Sequence, residues 1–60
     1  MMSSKEIIGR LKKEGWEHFS TTGSHTVWRK KGMKILVVPH PRKDFPAGTF
    51  KSICKTAGWN

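Results

Sequence analysis

Apolar residues near the N-terminus recur at helical spacing, between residues that favour the two ends of a helix. This pattern predicts an amphipathic helix over residues 4–14, because side chains three to four positions apart share one helix face. Ser3 and Glu6 have the spacing of a capping box at its start, and Gly15 follows as a stop. The apolar face comprises Ile7, Ile8 and Leu11.

Three short runs with the composition of β-strands follow this helix. We expect strands over residues 16–20, 24–30 and 33–38, and the third run is the most apolar and is rich in β-branched residues. Residues 21–23 give a turn signal between the first two strands. Lys31 and Gly32 predict a tight hairpin turn between the second and the third.

A second amphipathic helix is expected at the C-terminal end. Pro39 and Pro41 stop the third strand, because proline has no N–H to donate to a strand ladder. Residues 39–48 then form a loop, Thr49 is the expected helix cap, and Gly58 ends the helix. Its apolar stripe falls at positions i, i+3, i+4 and i+7, which are Phe50, Ile53, Cys54 and Ala57.

The order of these elements is α-β-β-β-α, which predicts an α+β fold. Each helix has one apolar stripe to bury, and a three-stranded antiparallel sheet offers one face that receives both helices. The opposite face of the sheet is then open to solvent or to a partner. With 60 residues and no internal repeat, we expect a single domain over residues 1–60.

The charge balance favours a polyanionic partner. Twelve Lys and Arg residues against four Asp and Glu residues give a formal net charge of +8. Such a field attracts nucleic acid, an acidic membrane or an acidic protein. A membrane is disfavoured, because no helix combines a long basic face with a wide apolar one.

The single cysteine and the lack of an apolar segment indicate a cytoplasmic protein. Cys54 has no partner for an intrachain disulfide, fits a reducing compartment and is expected to be a small core residue. No segment has the length of a signal peptide's apolar region or of a membrane span.

The segment Gly23-Ser24-His25 is the strongest indication of chemistry. A turn and a small hydroxyl residue present His25 at the start of a strand, and imidazole titrates near neutral pH. As a general base it could take the proton of an RNA 2′-hydroxyl that attacks the adjacent phosphorus. Backbone N–H groups around Gly23 and Ser24 could bind a phosphate oxygen. Phosphate-binding candidates on the same hairpin are Arg29, Lys30, Lys31 and Lys34.

Other residues leave alternatives open. His25 could instead bond a loop carbonyl, His40 could order its loop or protonate the leaving oxygen, and His18 is expected to be structural or at the surface. Trp28 lies three residues beyond His25 and so on the opposite face of the strand, where it packs in the core together with Trp16. No metal or other cofactor is expected, because the carboxylates are scattered and the histidines lack close ligand spacing. Trp59, after the last helix, could stack on a base, contact a partner or fray.

Several blocks of the chain, in order and at matching spacing, resemble the HicA toxin family. The resemblance covers nearly the whole chain and predicts a fold similar to that of double-stranded-RNA-binding domains. The matching blocks are Gly15-Trp16, Gly23-Ser24-His25, Val38-Pro39-His40-Pro41, Pro46-Ala47-Gly48-Thr49, Lys51-Ser52-Ile53 and Lys55-Thr56-Ala57-Gly58.

This resemblance implies a toxin that cleaves mRNA and blocks translation until a HicB antitoxin neutralises it. The histidine of the Gly-Ser-His block is catalytic in that family, which implies the same role for His25. Lys51 and Lys55 could bind phosphates, as the basic residues on the last helix of double-stranded-RNA-binding domains do, or they could simply form a solvated helix face. Any contact with DNA is expected only through the antitoxin.

A non-catalytic module that binds structured RNA is the alternative interpretation. Such a module would use the same basic residues and would not depend on His25. A basic chain that ends two residues after its last predicted helix favours a free-standing toxin over a module of a larger protein.

Overall fold

The computed structural model describes residues 3–59 and has the predicted α+β architecture. The elements are α1 Ser4–Lys13, β1 Glu17–Thr22, β2 His25–Arg29, β3 Leu36–Pro39 and α2 Ala47–Ala57. The three strands form one antiparallel sheet in the order β1-β2-β3, with β2 in the centre. Neither helix has the length and apolarity needed to span a membrane within the described part of the chain.

The capping box at the start of α1 is confirmed. The Ser3 hydroxyl accepts a hydrogen bond from the Glu6 N–H at 3.3 Å, and the Ser3 N–H donates to Glu6 Oε1 at 3.1 Å. Glu14 is the C-cap, and Gly15 follows with a φ of +91°. That left-handed conformation is accessible to glycine without steric cost, so Gly15 ends the helix as its position predicts.

β1 is longer than the sequence indicates. Thr21 and Thr22 are strand residues opposite Thr26 and His25, so the predicted turn over residues 21–23 is wrong. The connection between β1 and β2 consists of Gly23 and Ser24 alone. Because the threonines pair with β2, their β-branched side chains favour the strand over the turn.

The connection between β2 and β3 is a six-residue loop, residues 30–35, instead of the tight hairpin predicted. Lys31 and Gly32 do occupy the centre of a β-turn, closed by the Met33 N–H donating to the Lys30 carbonyl at 3.0 Å. The strand then starts at Leu36, opposite Trp28, and not at Met33. The pairing of these two buried side chains sets the register and leaves the loop beyond the sheet.

α2 begins before the predicted cap. Pro46 is the N-cap and provides no side-chain hydrogen bond, and its carbonyl accepts the first helical bond from Phe50 N–H at 3.0 Å. Thr49 therefore lies inside the first turn, and the prediction that it caps the helix is wrong. Gly58, with a φ of +81°, ends the helix as predicted.

One hydrophobic core joins both helices to the same face of the sheet. Trp16 and Trp28 are both buried in it, as predicted, whereas Cys54 is only half-buried. The sequence did not indicate Phe45, which reaches the core from the loop before α2. The buried apolar residues are Ile7, Leu11, Trp16, Trp28, Leu36, Val38, Phe45, Ile53 and Ala57.

The alternation of burial along β2 defines the two faces of the sheet. Thr26 and Trp28 are buried against the helices on the face that we call the inner face. His25, Val27 and Arg29 alternate with them and lie on the outer face, which neither helix covers. The predicted open face of the sheet is therefore present.

Candidate functional site

His25 is the first residue of the central strand, at one end of the outer face. Its Cα pairs with Thr22 of β1 and with Pro39 of β3, so the backbone is held from both sides. The side chain itself is exposed to solvent. The sheet thus presents an accessible imidazole from a fixed backbone position, which is the arrangement that a general base requires.

The two-residue turn before His25 depends on Gly23. Its φ is +59°, while Ser24 has a negative φ, which matches the type II′ turn that favours glycine at its first central position. An added Cβ at Gly23 would meet no atom within 4 Å. The glycine is therefore required by the backbone conformation and not by lack of space.

The His40 side chain points toward α1 and not toward the outer face. Its Nδ1 lies 2.7 Å from the buried Ser4 hydroxyl, which also accepts a bond from the Arg42 N–H at 2.8 Å and lies 3.1 Å from the Arg42 carbonyl. All three contacts form together when His40 Nδ1–H donates to Ser4 Oγ and the hydroxyl donates to the Arg42 carbonyl.

The backbone of His40 bonds to the Gly23-Ser24 turn. Its N–H donates to the Ser24 carbonyl at 2.6 Å, directly before His25 in the chain. Together with the anchoring of its ring by Ser4, this bond ties the start of β2 to the N-terminus of α1. The geometry favours the loop-ordering role of His40 over a role as a second acid–base group.

The predicted phosphate-binding side chains form one continuous surface. Three adjacent shallow depressions contain them: one includes the hairpin loop and Arg29, the next includes Lys34 and Lys55, and the third includes Lys51 and Lys55. We call this surface the basic belt, and its members are Arg29, Lys30, Lys31, Lys34, Lys51 and Lys55. The sequence did not indicate that the hairpin loop and α2 would meet in this way.

His25 lies apart from the basic belt. It is at one end of β2 and Arg29 is at the other, four residues away, which corresponds to about 13 Å along a strand. The sequence places the imidazole close to these cations, and the structure separates them. The two residues therefore do not form the compact cluster that their closeness in sequence suggests.

The outer face between these two ends is apolar and includes an exposed aromatic ring. Phe19 is 55% exposed and Val37 is 45% exposed. Phe19 occupies a bulge, because His18 pairs with Trp28 and Ser20 pairs with Val27, which leaves Phe19 without an opposite residue. The Arg29 guanidinium lies over the Phe19 ring, 4.8 Å from its centroid. A bulge has no reliable sequence signal, so the sequence did not identify this pair.

A family model described as the HicA toxin of bacterial toxin–antitoxin systems matches residues 4–59. The chain belongs to the HicA toxin family. The match extends from the first residue of α1 to beyond the end of α2, so it includes His25 and the whole basic belt. A comparison with curated proteins found no match.

Membership of the HicA family gives this chain the role of the toxin in a toxin–antitoxin pair. A toxin of this class has an antitoxin as its partner.

His18 and Trp59 make contacts within the protein. His18 Nε2 lies 2.6 Å from the Thr21 hydroxyl, and its ring packs against Trp28 at 5.3 Å between centroids. The Trp59 indole N–H donates to Glu14 at 2.7 Å, and Arg10 lies 4.2 Å over the Trp59 ring, so the predicted fraying of Trp59 is wrong. Within residues 3–59, no three His, Cys, Asp or Glu side chains converge as metal ligands would.

Two carboxylates of α1 have lowered pKa values. The Ser3 backbone N–H, followed by the Ser3 hydroxyl, lowers the pKa of Glu6. The Trp59 indole N–H, followed by Arg10, lowers the pKa of Glu14. Both shifts come from hydrogen bonds that stabilise the charged form, and both belong to the ends of α1 and not to the outer face.

Proposed function

We propose that this HicA-family protein is a metal-independent endoribonuclease that cleaves mRNA and thereby blocks translation in the cytoplasm. The observation that carries the proposal is the exposed His25 imidazole, held at the start of the central strand on the open face of a protein with a formal net charge of +8. His25 is the proposed catalytic residue.

The proposed reaction uses the nucleophile of the substrate itself. His25 takes the proton of the 2′-hydroxyl, O2′ bonds to the adjacent phosphorus, and the bond from phosphorus to the 5′-oxygen breaks. The leaving 5′-oxygen takes up a proton, so the products are a 2′,3′-cyclic phosphate and a 5′-hydroxyl. Backbone N–H groups around Gly23 and Ser24 would stabilise the charge on the phosphoryl oxygens, with glycine allowing their close approach.

The basic belt is the proposed contact surface for the phosphates on either side of the cleaved bond. Because Arg29 and the hairpin loop after it lie at the end of β2 opposite His25, the belt is proposed to contribute affinity and orientation more than it contributes to the chemical step. Each phosphate contact releases counterions, so RNA binding is expected to weaken steeply as salt increases.

The proposed partner is a HicB-like antitoxin with acidic groups that covers the outer face around His25. Complementary charge on the two proteins would accelerate their association, and higher salt would slow it. Any binding of DNA by such a pair is assigned to the antitoxin. The HicA chain would then contact DNA only through its complex with the antitoxin.

A non-catalytic module that binds structured RNA is the second candidate function. It is favoured by one observation, the continuity of Lys34, Lys51 and Lys55 on a surface whose lining does not include His25. Under this alternative, the double neutralisation of Lys51 and Lys55 would weaken RNA binding strongly, and His25→Ala would have little effect.

The test is the cleavage of a defined single-stranded RNA in EDTA, analysed on a denaturing gel. We expect the wild-type protein to cleave, His25→Ala to be inactive, and His18→Ala to remain active as the matched control, because His18 is a second exposed histidine of the same sheet. If His25→Ala is inactive while the wild-type protein and His18→Ala both cleave, the result supports the ribonuclease interpretation.

Two other results would overturn this assignment. Equal cleavage by wild type and His25→Ala would remove His25 from the mechanism, whereas intact RNA together with tight binding would favour the module. Mass spectrometry of the fragments tests the chemistry, since a 5′-phosphate on the downstream product contradicts attack by the 2′-hydroxyl.

A further inference from the structure

Phe19 has a position that the packing of the protein does not explain. It is 55% exposed on the same sheet on which Trp28 is buried, and Trp16, just before β1, is buried as well. The bulge between His18 and Ser20 leaves it without a cross-strand partner, and Arg29 lies over its ring. Since an exposed phenyl ring contributes little to folding, its exposure points to a ligand with an apolar face.

The surroundings of Phe19 match the chemistry of a nucleotide. Val27 and Val37 provide an apolar floor toward His25, while Arg29 provides positive charge over the ring. The acidic group closest in the register is Glu17, which pairs with Arg29. The flat apolar face of a base can stack on the Phe19 ring, and the phosphate is an anion that the Arg29 guanidinium attracts. One nucleotide can therefore contact both side chains.

The same surface discriminates between single-stranded and duplex RNA. The bases of an A-form duplex are stacked inside the helix, and proteins recognise such a duplex mainly through its phosphates and 2′-hydroxyls. An exposed aromatic ring beside an Arg guanidinium gains its stacking energy only from an unstacked base. The outer face is therefore suited to a single strand.

The spacing along β2 shows which nucleotide this site would bind. Arg29 is about 13 Å from His25 along the strand, several times the rise of about 3.4 Å between stacked nucleotides. Phe19 lies opposite the step from Val27 to Trp28, two to three residues from His25, which is about 7–10 Å along the strand. A base on Phe19 thus belongs to a nucleotide beside the cleaved bond and not to the one whose 2′-hydroxyl reacts.

We propose that Phe19 and Arg29 form a stacking subsite for one unpaired base of single-stranded RNA whose backbone runs across the outer face to His25. This inference rests on the proposed function, because it identifies the substrate of the same face as a single strand. The subsite binds and positions the substrate and does not take part in the chemical step.

The test measures affinity without cleavage, in a His25→Ala background. Fluorescence anisotropy compares a labelled single-stranded RNA octamer with a blunt duplex of the same sequence. We expect Phe19→Ala to weaken binding of the single strand at least about fivefold, the lower limit for the loss of one base–aromatic stack. Phe19→Trp should preserve binding, and the affinity for the duplex should not change.

Two matched variants separate stacking from simple apolar contact and from charge. Phe19→Leu keeps the apolar volume but lacks the ring, so it should behave like Phe19→Ala. Arg29→Ala should weaken binding of the single strand more than Lys13→Ala, which removes the same charge from an exposed position on α1. Circular dichroism of each variant checks that the fold is intact.

Two results would overturn the inference. The first is unchanged affinity of Phe19→Ala and Phe19→Leu for the single strand. The second is an equal loss of single-strand and duplex binding. If the same variants instead weaken only the complex with a purified HicB-like antitoxin, the face is a protein interface and the subsite is rejected.

The cleavage assay distinguishes this failure from failure of the proposed function. Cleavage of a long RNA that depends on His25 but not on Phe19 would retain the nuclease and reject the subsite. Single-strand binding that depends on Phe19 in a protein that never cleaves would retain the subsite and reject the nuclease.

Discussion

The two buried tryptophans of the core provide a direct test of how hydrogen bonding contributes to this fold. Trp16 and Trp28 are each 3% exposed, so replacing either by Phe removes the same atoms from the same core. They differ at the indole nitrogen. Trp28 Nε1 donates to the Thr26 hydroxyl at 2.9 Å, which in turn donates to the Val38 carbonyl at 2.7 Å. Trp16 Nε1 is buried and finds no hydrogen-bond partner among residues 3–59.

The magnitude follows from this difference. The loss of packing is similar in the two variants and cancels in the comparison. Trp28→Phe also loses a hydrogen bond worth about 1 kcal/mol, whereas Trp16→Phe removes an unpaired buried donor that costs at least about 1 kcal/mol. We therefore expect Trp28→Phe to be about 2 kcal/mol less stable than Trp16→Phe. For a domain of this size that corresponds to a difference in Tm of roughly 10 °C.

The assay is urea denaturation followed by far-ultraviolet circular dichroism, which reports on backbone structure and is less affected by the lost indole than fluorescence is. The free energies of unfolding of the two variants are compared with one shared m-value, which is the slope of the free energy of unfolding against urea concentration. A difference below about 0.5 kcal/mol would refute the reasoning, because that is the lower limit for one hydrogen bond. A lower stability of Trp16→Phe would show that its indole N–H is paired in solution.

Three further predictions concern the ends of the elements. Ser4→Ala should lower the free energy of unfolding by about 2 kcal/mol in the same assay, because it removes the buried hydroxyl that contacts the Arg42 N–H and His40 Nδ1, while the Arg42 carbonyl keeps its bond from the Ser4 N–H. Gly23→Ala should cost about 1 kcal/mol, measured as a fall in Tm, since alanine at a φ of +59° is strained although space is free. The pKa of Glu14 is lowered from 4.5 in the folded protein, so the unfolded chain binds more protons near that pH. The contribution of ionised Glu14 to the free energy of unfolding is present above pH 4.5 and is lost as the pH falls through the pKa of Glu14 in the folded protein. Glu14→Gln should therefore flatten the dependence of Tm on pH in that acid range.

The parts of the fold that were predictable from the sequence are those fixed by local interactions. The capping box of Ser3 and Glu6, the helix ends at Gly15 and Gly58, and the alternation of His25 with Trp28 involve residues that are close in sequence. The position of His25 near the start of the second strand was predictable for the same reason, whereas the turn before it was placed too early, over residues 21–23 instead of Gly23 and Ser24.

The parts that were not predictable depend on contacts between distant segments. The start of β3 at Leu36 follows from its pairing with Trp28, and the burial of Phe45 follows from the packing of both helices. Trp59 is ordered by Glu14, 45 positions away, through an indole hydrogen bond. The start of α2 at Ala47 was missed for another reason, because Pro46 provides the cap position without a side-chain bond that a sequence pattern could indicate.

The candidate site was only partly predictable because His25 and the proposed phosphate-binding residue Arg29 are at opposite ends of one strand. The sequence places His25 four residues before Arg29, and proximity along the chain suggests a single cluster of base and cations. In a strand, however, four residues correspond to about 13 Å, whereas in a helix they correspond to one turn. The extended backbone of β2 therefore separates the proposed proton transfer from phosphate binding. As a consequence, Arg29 and the hairpin loop that follows it lie at the end of β2 opposite His25.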